Sequence, residues 1–146
     1  MTDRINPLLK PLKIVIGGLL LVLCVFASPL RAEPPVTRIE AWSPRGVQGV
    51  LEFEAAPLTT MQEISFRLSL KDADGKVLTP SQVICDLVMP AMPMPENRPR
   101  LSLAGQSYSG KAIFTMAGEW QARISIQSAS GTAETLVFPI DRVLLK

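Results

Sequence analysis

The chain has 146 residues, 15 Lys+Arg against 13 Asp+Glu, two cysteines and no histidine. That length holds one ordinary domain plus a short targeting segment, and 47% apolar with 19% charged residues is too hydrophobic for a disordered chain. Without an imidazole there is no Ser-His-Asp or Cys-His nucleophile pair, no His-bearing zinc site and no ordinary general base near neutral pH, so a non-catalytic role is expected.

The chain opens with Asp3, Arg4, Lys10 and Lys13, a net-positive start, followed by an apolar run from Ile14 to Ala27. Small residues and then Glu33-Pro-Pro35 follow, the pattern of an export signal. The run is 14 residues, 17 if extended to Leu30, whereas a spanning helix wants about 20. Residues 1–32 are therefore expected to be a cleaved signal peptide or, with Lys10 and Lys13 snorkelling, an N-terminal helix anchoring the protein in the inner membrane through residues 14–30. Either way the charge order places residues 33–146 outside the cytoplasm, in the periplasm. Leu23 stands before Cys24 where lipid attachment needs a small residue.

The leader also carries the charge. Residues 1–32 hold Arg4, Lys10, Lys13 and Arg31 against Asp3, which leaves 11 basic and 12 acidic residues in the remaining 114. A net charge of −1 offers no basic patch for nucleic acid. Cys85 is the one cysteine left, so no internal disulfide is available; with Val83, Ile84, Leu87 and Val88 around it, a buried inert thiol is expected.

From Glu33 onward the periodicity is that of strands. Val47 to Ala55 alternates around Leu51 and Phe53, with Glu52 and Glu54 on a solvated face. Ile64, Phe66, Leu68 and Leu70 share one face of the next run, and Asp72-Ala-Asp-Gly-Lys76 is a turn. The turn is not a calcium loop, because Lys76 takes the third acidic position and no Glu closes the twelve residues. Val83 to Met89, apolar on both faces apart from Asp86, reads as a central strand. Arg100–Ala104, Tyr108–Thr115, Glu119–Gln127 and Thr132–Val143 are further strands, turned at Gly105–Ser107 and Ser128–Gly131. Trp120, Ala122, Ile124 and Ile126 share a face, with Trp120 capping the core. Seven or eight short strands without a credible internal helix predict an all-β antiparallel sandwich.

One stretch breaks the pattern. Met89 to Pro99 carries four prolines in eleven residues, with a proline after each of Met89, Met92 and Met94. Proline removes ladder donors and favours extended backbone. An exposed loop would present three thioethers outside the core. Thioethers are soft ligands suited to Cu(I) or Ag(I) and poor ones for zinc, calcium or magnesium. Met89, Met92 and Met94, joined by Met116 or Cys85, could supply a trigonal Cu(I) site. The alternative is that the methionines form an apolar plug or an adaptable docking surface, with Met92 and Met94 beside Arg98 and Arg100, which could grip an anionic partner. Asp86 and Glu96 make no acid–base pair without a nucleophile or electrophile in sight.

From Ile64 to about Ile140 the order of short motifs resembles the YtkA-like domain, a bacterial extracytoplasmic module related in plan to the FixH proteins. The residues that carry it are Ile64-Ser-Phe-Arg-Leu-Ser-Leu-Lys-Asp-Ala-Asp-Gly-Lys-Val77, Met89-Pro-Ala-Met92, Pro99-Arg100, Gly105-Gln-Ser-Tyr-Ser-Gly110 and Phe114-Thr-Met-Ala-Gly-Glu-Trp120. The resemblance implies an immunoglobulin-like sandwich and a tethered or periplasmic protein near copper handling, heavy-metal efflux or respiratory-oxidase assembly, with a membrane-complex protein as partner. Many such domains carry histidines after the Met-Pro. Here Met92, Pro93, Met94 and Pro95 occupy those positions, which leaves a Cu(I)-type methionine site and argues against Cu(II) or zinc.

Overall fold

The computed structural model describes residues 32–146; the expected signal or anchor helix lies outside the described residues. Nine strands form the described part: β1 (Thr37–Trp42), β2 (Gln48–Phe53), β3 (Leu58–Thr59), β4 (Glu63–Lys71), β5 (Gln82–Val88), β6 (Ser102–Ala104), β7 (Ser107–Ile113), β8 (Gly118–Gln127) and β9 (Ala133–Leu144). They make two sheets, one of five strands in the order β1-β2-β4-β7-β6 and one of four in the order β3-β9-β8-β5. Every pairing is antiparallel except the two-residue contact of β3 with β9. The count exceeds the expected seven or eight because β1 and the very short β3 leave little hydrophobic signature. In β1 the apolar residues on the inward face are only Ile39 and Ala41, and the outward face mixes Arg38 and Glu40 with an exposed Trp42.

Period-two alternation builds the core. Ile64, Phe66, Leu68 and Leu70 on β4 face Trp120, Ala122, Ile124 and Ile126 on β8 and Leu136, Phe138 and Ile140 on β9, all buried. Side chains of the four-stranded sheet pack directly onto Gly49 of β2. A Cβ there would lie 2.6 Å from Cζ of Phe138 and 2.9 Å from Cδ2 of Leu136. Trp120 is fully buried and belongs to the core itself rather than capping it. Pro139 is tolerated in β9 because β3 reaches only Val143 and Leu144, which leaves β9 paired on the β8 side alone at that point.

Asp72–Lys76 is a turn as expected. Gly75 has a positive φ of 82°, and Oδ1 of Asp72 accepts from the amides of Asp74 and Lys76 at 3.0 and 2.9 Å. The turn closes only a single bridge, Lys71 to Val77, before the chain crosses to the other sheet. Tyr108 steadies that crossing by donating its hydroxyl to Pro80 O at 3.2 Å.

β5 is not the central strand its apolar faces suggested. It is the outer strand of the four-stranded sheet. The Met-Pro stretch runs back alongside it: Leu87 N donates to Asn97 O at 2.8 Å, and Arg98 pairs with Asp86. A following segment without ladder geometry thus shields the free edge, as edges must be shielded. The segment then crosses to the five-stranded sheet, where Arg100 O passes 2.9 Å from the place a Cβ on Gly110 would take. Only glycine allows so close an approach at that point.

Candidate functional site

The site forms at one end of the sandwich, where β2, β5, β7 and β9 finish and β4 and β8 begin. Pairings define this end: Glu63 lies opposite Ile113, Gly118 opposite Val143, and Leu58 beside Val143. Loop backbones are tied across it. Met61 N donates to Phe114 O at 2.8 Å, Thr60 N to Leu144 O at 2.9 Å, and the Asn97 side-chain amide to Ile113 O at 3.0 Å. Beneath lies a run of aromatic rings from Phe66 through Phe53 and Phe114 to Trp120, with centroids 5.6, 5.7 and 5.3 Å apart. Trp120 Nε1 donates to Met116 O at 2.9 Å, which fixes the loop between β7 and β8 onto this floor. Indole nitrogens in cores need such a partner.

All five methionines of the described residues gather here, on three loops. They do not stand alike. Met89 was expected on an exposed loop, yet it is only 8% exposed and belongs to the core cluster. It follows Cys85 and Leu87 on the inward face of β5, and its methyl carbon lies 3.2 Å from where a Gly118 Cβ would be. Met94 folds back as well. It packs against the core, and its sulfur accepts the amide of Met89 at 3.2 Å. Met92 and Met116 remain exposed, at 45% and 38%. The fifth, Met61, is 70% exposed and adopts a left-handed φ of 55°, uncommon for a side chain of its size. Sequence reading passed over Met61 because it stands 28 residues before Met89 with no local motif around it; the strand pairing alone brings it here.

The remaining candidates are dispersed. Cys85 sits four residues up β5 from Met89, about 13 Å of strand away. Burial, reinforced by the neighbouring Asp86 carboxylate, pushes its thiol up to about 12, so it stays protonated and is a poor ligand. Arg98 is held by Asp86 and by Glu96 at 3.1 Å, and these carboxylates raise its pKa, the hydrogen bond to Asp86 foremost. Arg100, two residues on, faces the other sheet. It lines an open cleft of about 490 Å³ with Arg67, Lys111 and Glu54. The two arginines therefore address different surfaces. Among the described residues, no group of three or more Asp, Glu or Cys side chains converges to hold a hard cation.

Residues 43–125, more than half of the chain, match the family model described as YtkA-like. The chain belongs to the YtkA-like family. The match takes in β2 through most of β8, and with them all three loops of the methionine-rich end. It leaves out β1 and β9, so the YtkA-like region is completed here by the strand that closes the five-stranded sheet and by the inner strand of the four-stranded one. No curated protein and no solved structure matches the chain significantly.

Proposed function

We propose that the protein is a non-catalytic, exported accessory module that binds a soft metal ion, Cu(I), at the methionine-rich end of its sandwich. The observation that carries the reading is the convergence of five thioethers from three loops on one end of a histidine-free fold. Met89, Met92 and Met94, with Met116, are the donors the sequence singles out, and thioethers favour Cu(I) over harder ions. Absence of histidine and a protonated, buried thiol leave neither a nucleophile–base pair nor a metal-activated water as the basis of an enzyme.

The fold supports an immunoglobulin-like reading. With β1 and β3 set aside, the orders β2-β4-β7-β6 and β9-β8-β5 follow the plan in which strands A, B, E and D face C, F and G. The positive start and apolar run of residues 1–30 support a periplasmic location, by a cleaved signal or by an inner-membrane anchor.

A second reading, docking onto a membrane-complex protein of efflux or oxidase assembly, is favoured by Ile113 and Leu145. These exposed apolar side chains flank the same end without being able to ligate a metal. Arg98, beside the exposed Met92, would then contact an anionic partner at this end, whereas Arg100 faces the cleft of the five-stranded sheet and Met94 is turned inward. Competition against a chromogenic Cu(I) chelator tests the first reading: the protein should withdraw one equivalent, and no withdrawal would remove the metal from the account. Leucine at the exposed Met92 and Met116 together separates the two, since docking should largely survive and metal binding should vanish.

A further inference from the structure

Resting on the metal-binding reading, we propose that the ion's donors are Met61, Met92 and Met116, while Met89 and Met94 hold the loop in place rather than the metal. Availability of sulfur divides the five. Met89 is nine-tenths buried with its methyl wedged under Gly118, and drawing it out would open a void in the core. The Met94 sulfur already accepts the Met89 amide, and removing it would strand a part-buried donor. Met61, Met92 and Met116 are exposed residues, one from each loop, and no hydrogen bond engages their sulfurs among the described residues.

The backbone brings those three loops together. Met61 is bonded through its amide to Phe114 O, two residues before Met116, and Met116 O is held by Trp120. Met89 reaches under Gly118 on one flank of the β7–β8 loop, and the bond of Met92 N to Met89 O at 3.4 Å ties Met92 to that anchor. Met61 adopts its left-handed φ where no glycine is used, so the chain keeps a long, exposed side chain at a backbone position bonded to the β7–β8 loop. Three neutral thioethers suit the low coordination number of Cu(I). None of them titrates, so binding releases no proton and holds equally at acid and neutral pH.

The full-length protein carrying [methyl-13C]methionine would be titrated with Ag(I), a redox-inert stand-in for Cu(I), at pH 5.5 and 7.5, with methyl signals assigned by single Met→Leu variants. The expected result is saturation at one ion, with the Met61, Met92 and Met116 methyls shifting and those of Met89 and Met94 staying, alike at both pH values. Met61→Leu should weaken Cu(I) binding at least tenfold; Met61, Met92 and Met116 are exposed, so the variants that assign their signals leave the core intact. If no methyl moves and the chelator keeps all the Cu(I), the metal reading and this assignment fall together. If an ion binds but Met89 and Met94 shift while Met61 stays, or if affinity collapses at pH 5.5, the protein binds soft metal and the assignment alone is overturned.

Discussion

Replacing Gly49 with alanine probes how tightly β9 packs onto β2. The new Cβ would stand 2.6 Å from Cζ of Phe138 and 2.9 Å from Cδ2 of Leu136, both far inside contact distance. Phe138 and Leu136 are fully buried on β9, which is bonded to β8 along nearly its whole length, so neither ring nor branch can step aside freely. Overpacking of this kind costs about 1–3 kcal/mol. Alanine returns roughly 0.4–1 kcal/mol by restricting the unfolded chain. The net loss should be about 1–2 kcal/mol, which for a domain of this size lowers Tm by roughly 4–8 °C. Urea unfolding should show a lower midpoint at unchanged m-value. The cause can be isolated with Phe138→Leu, which alone leaves a void but, combined with Gly49→Ala, gives the Cβ somewhere to go. The double variant should be more stable than the two single losses predict, by about 1 kcal/mol. A Gly49→Ala protein as stable as the parent, or additive behaviour in the cycle, would refute the close packing of β2 on β9.

Other outcomes follow from the same packing. Cys85 should resist alkylation in the folded protein and react at once in denaturant, as read by mass spectrometry. Because its folded pKa is raised to about 12, the buried thiol's contribution to stability is fully present below pH 9, the ordinary thiol value, and is lost as pH climbs toward 12; a Cys85→Ala variant should show a shallower alkaline decline. Trp120→Phe removes the bond to Met116 O and part of the aromatic floor, and should cost about 1–3 kcal/mol in urea unfolding. Arg98→Ala releases Asp86 and loosens the segment lying along β5, so amide exchange at Leu87 should quicken while that of Ile124 is unchanged; equal protection at Leu87 would show that Arg98 does not hold the segment.

What could be read from the sequence depended on how local the cause was. The inward faces of β4 and β8 were plain, because alternate Ile, Phe, Leu and Trp residues encode burial within one strand. The Asp72–Lys76 turn was equally plain, since its geometry rests on one aspartate and one glycine. β1 was hidden because only Ile39 and Ala41 mark an apolar inward face, while its outward face mixes Arg38 and Glu40 with an exposed Trp42, and the Arg38 ion pairs with Glu40 and Glu52 lie on the surface. The rank of β5 was misread for a different reason. A strand covered by an irregular segment buries its side chains much as a central strand does, so Val83, Ile84 and Val88 carry no mark of the edge. The methionine-rich end was half legible: Met89, Met92 and Met94 announce themselves by spacing, whereas Met61 joins them only through pairing across the fold.

The division among the methionines also follows from where prolines can stand. Pro90, Pro93 and Pro95 donate no amide, so the loop cannot be sealed by ladder bonds and must be pinned by something else. Its pins are Leu87 N to Asn97 O, Asn97 to Ile113 O, Arg98 to Asp86, and the two inward methionines. Met89 and Met94 therefore do the work that backbone hydrogen bonds would do in a loop without proline. That leaves Met92 exposed, at the same end of the sandwich as Met61 and Met116, whose loops are themselves tied down by hydrogen bonds. A thioether on a fixed backbone loses less freedom on binding a metal than one on a mobile tail, so under the proposed reading the same proline content that prevents a strand here would make the exposed thioethers better ligands.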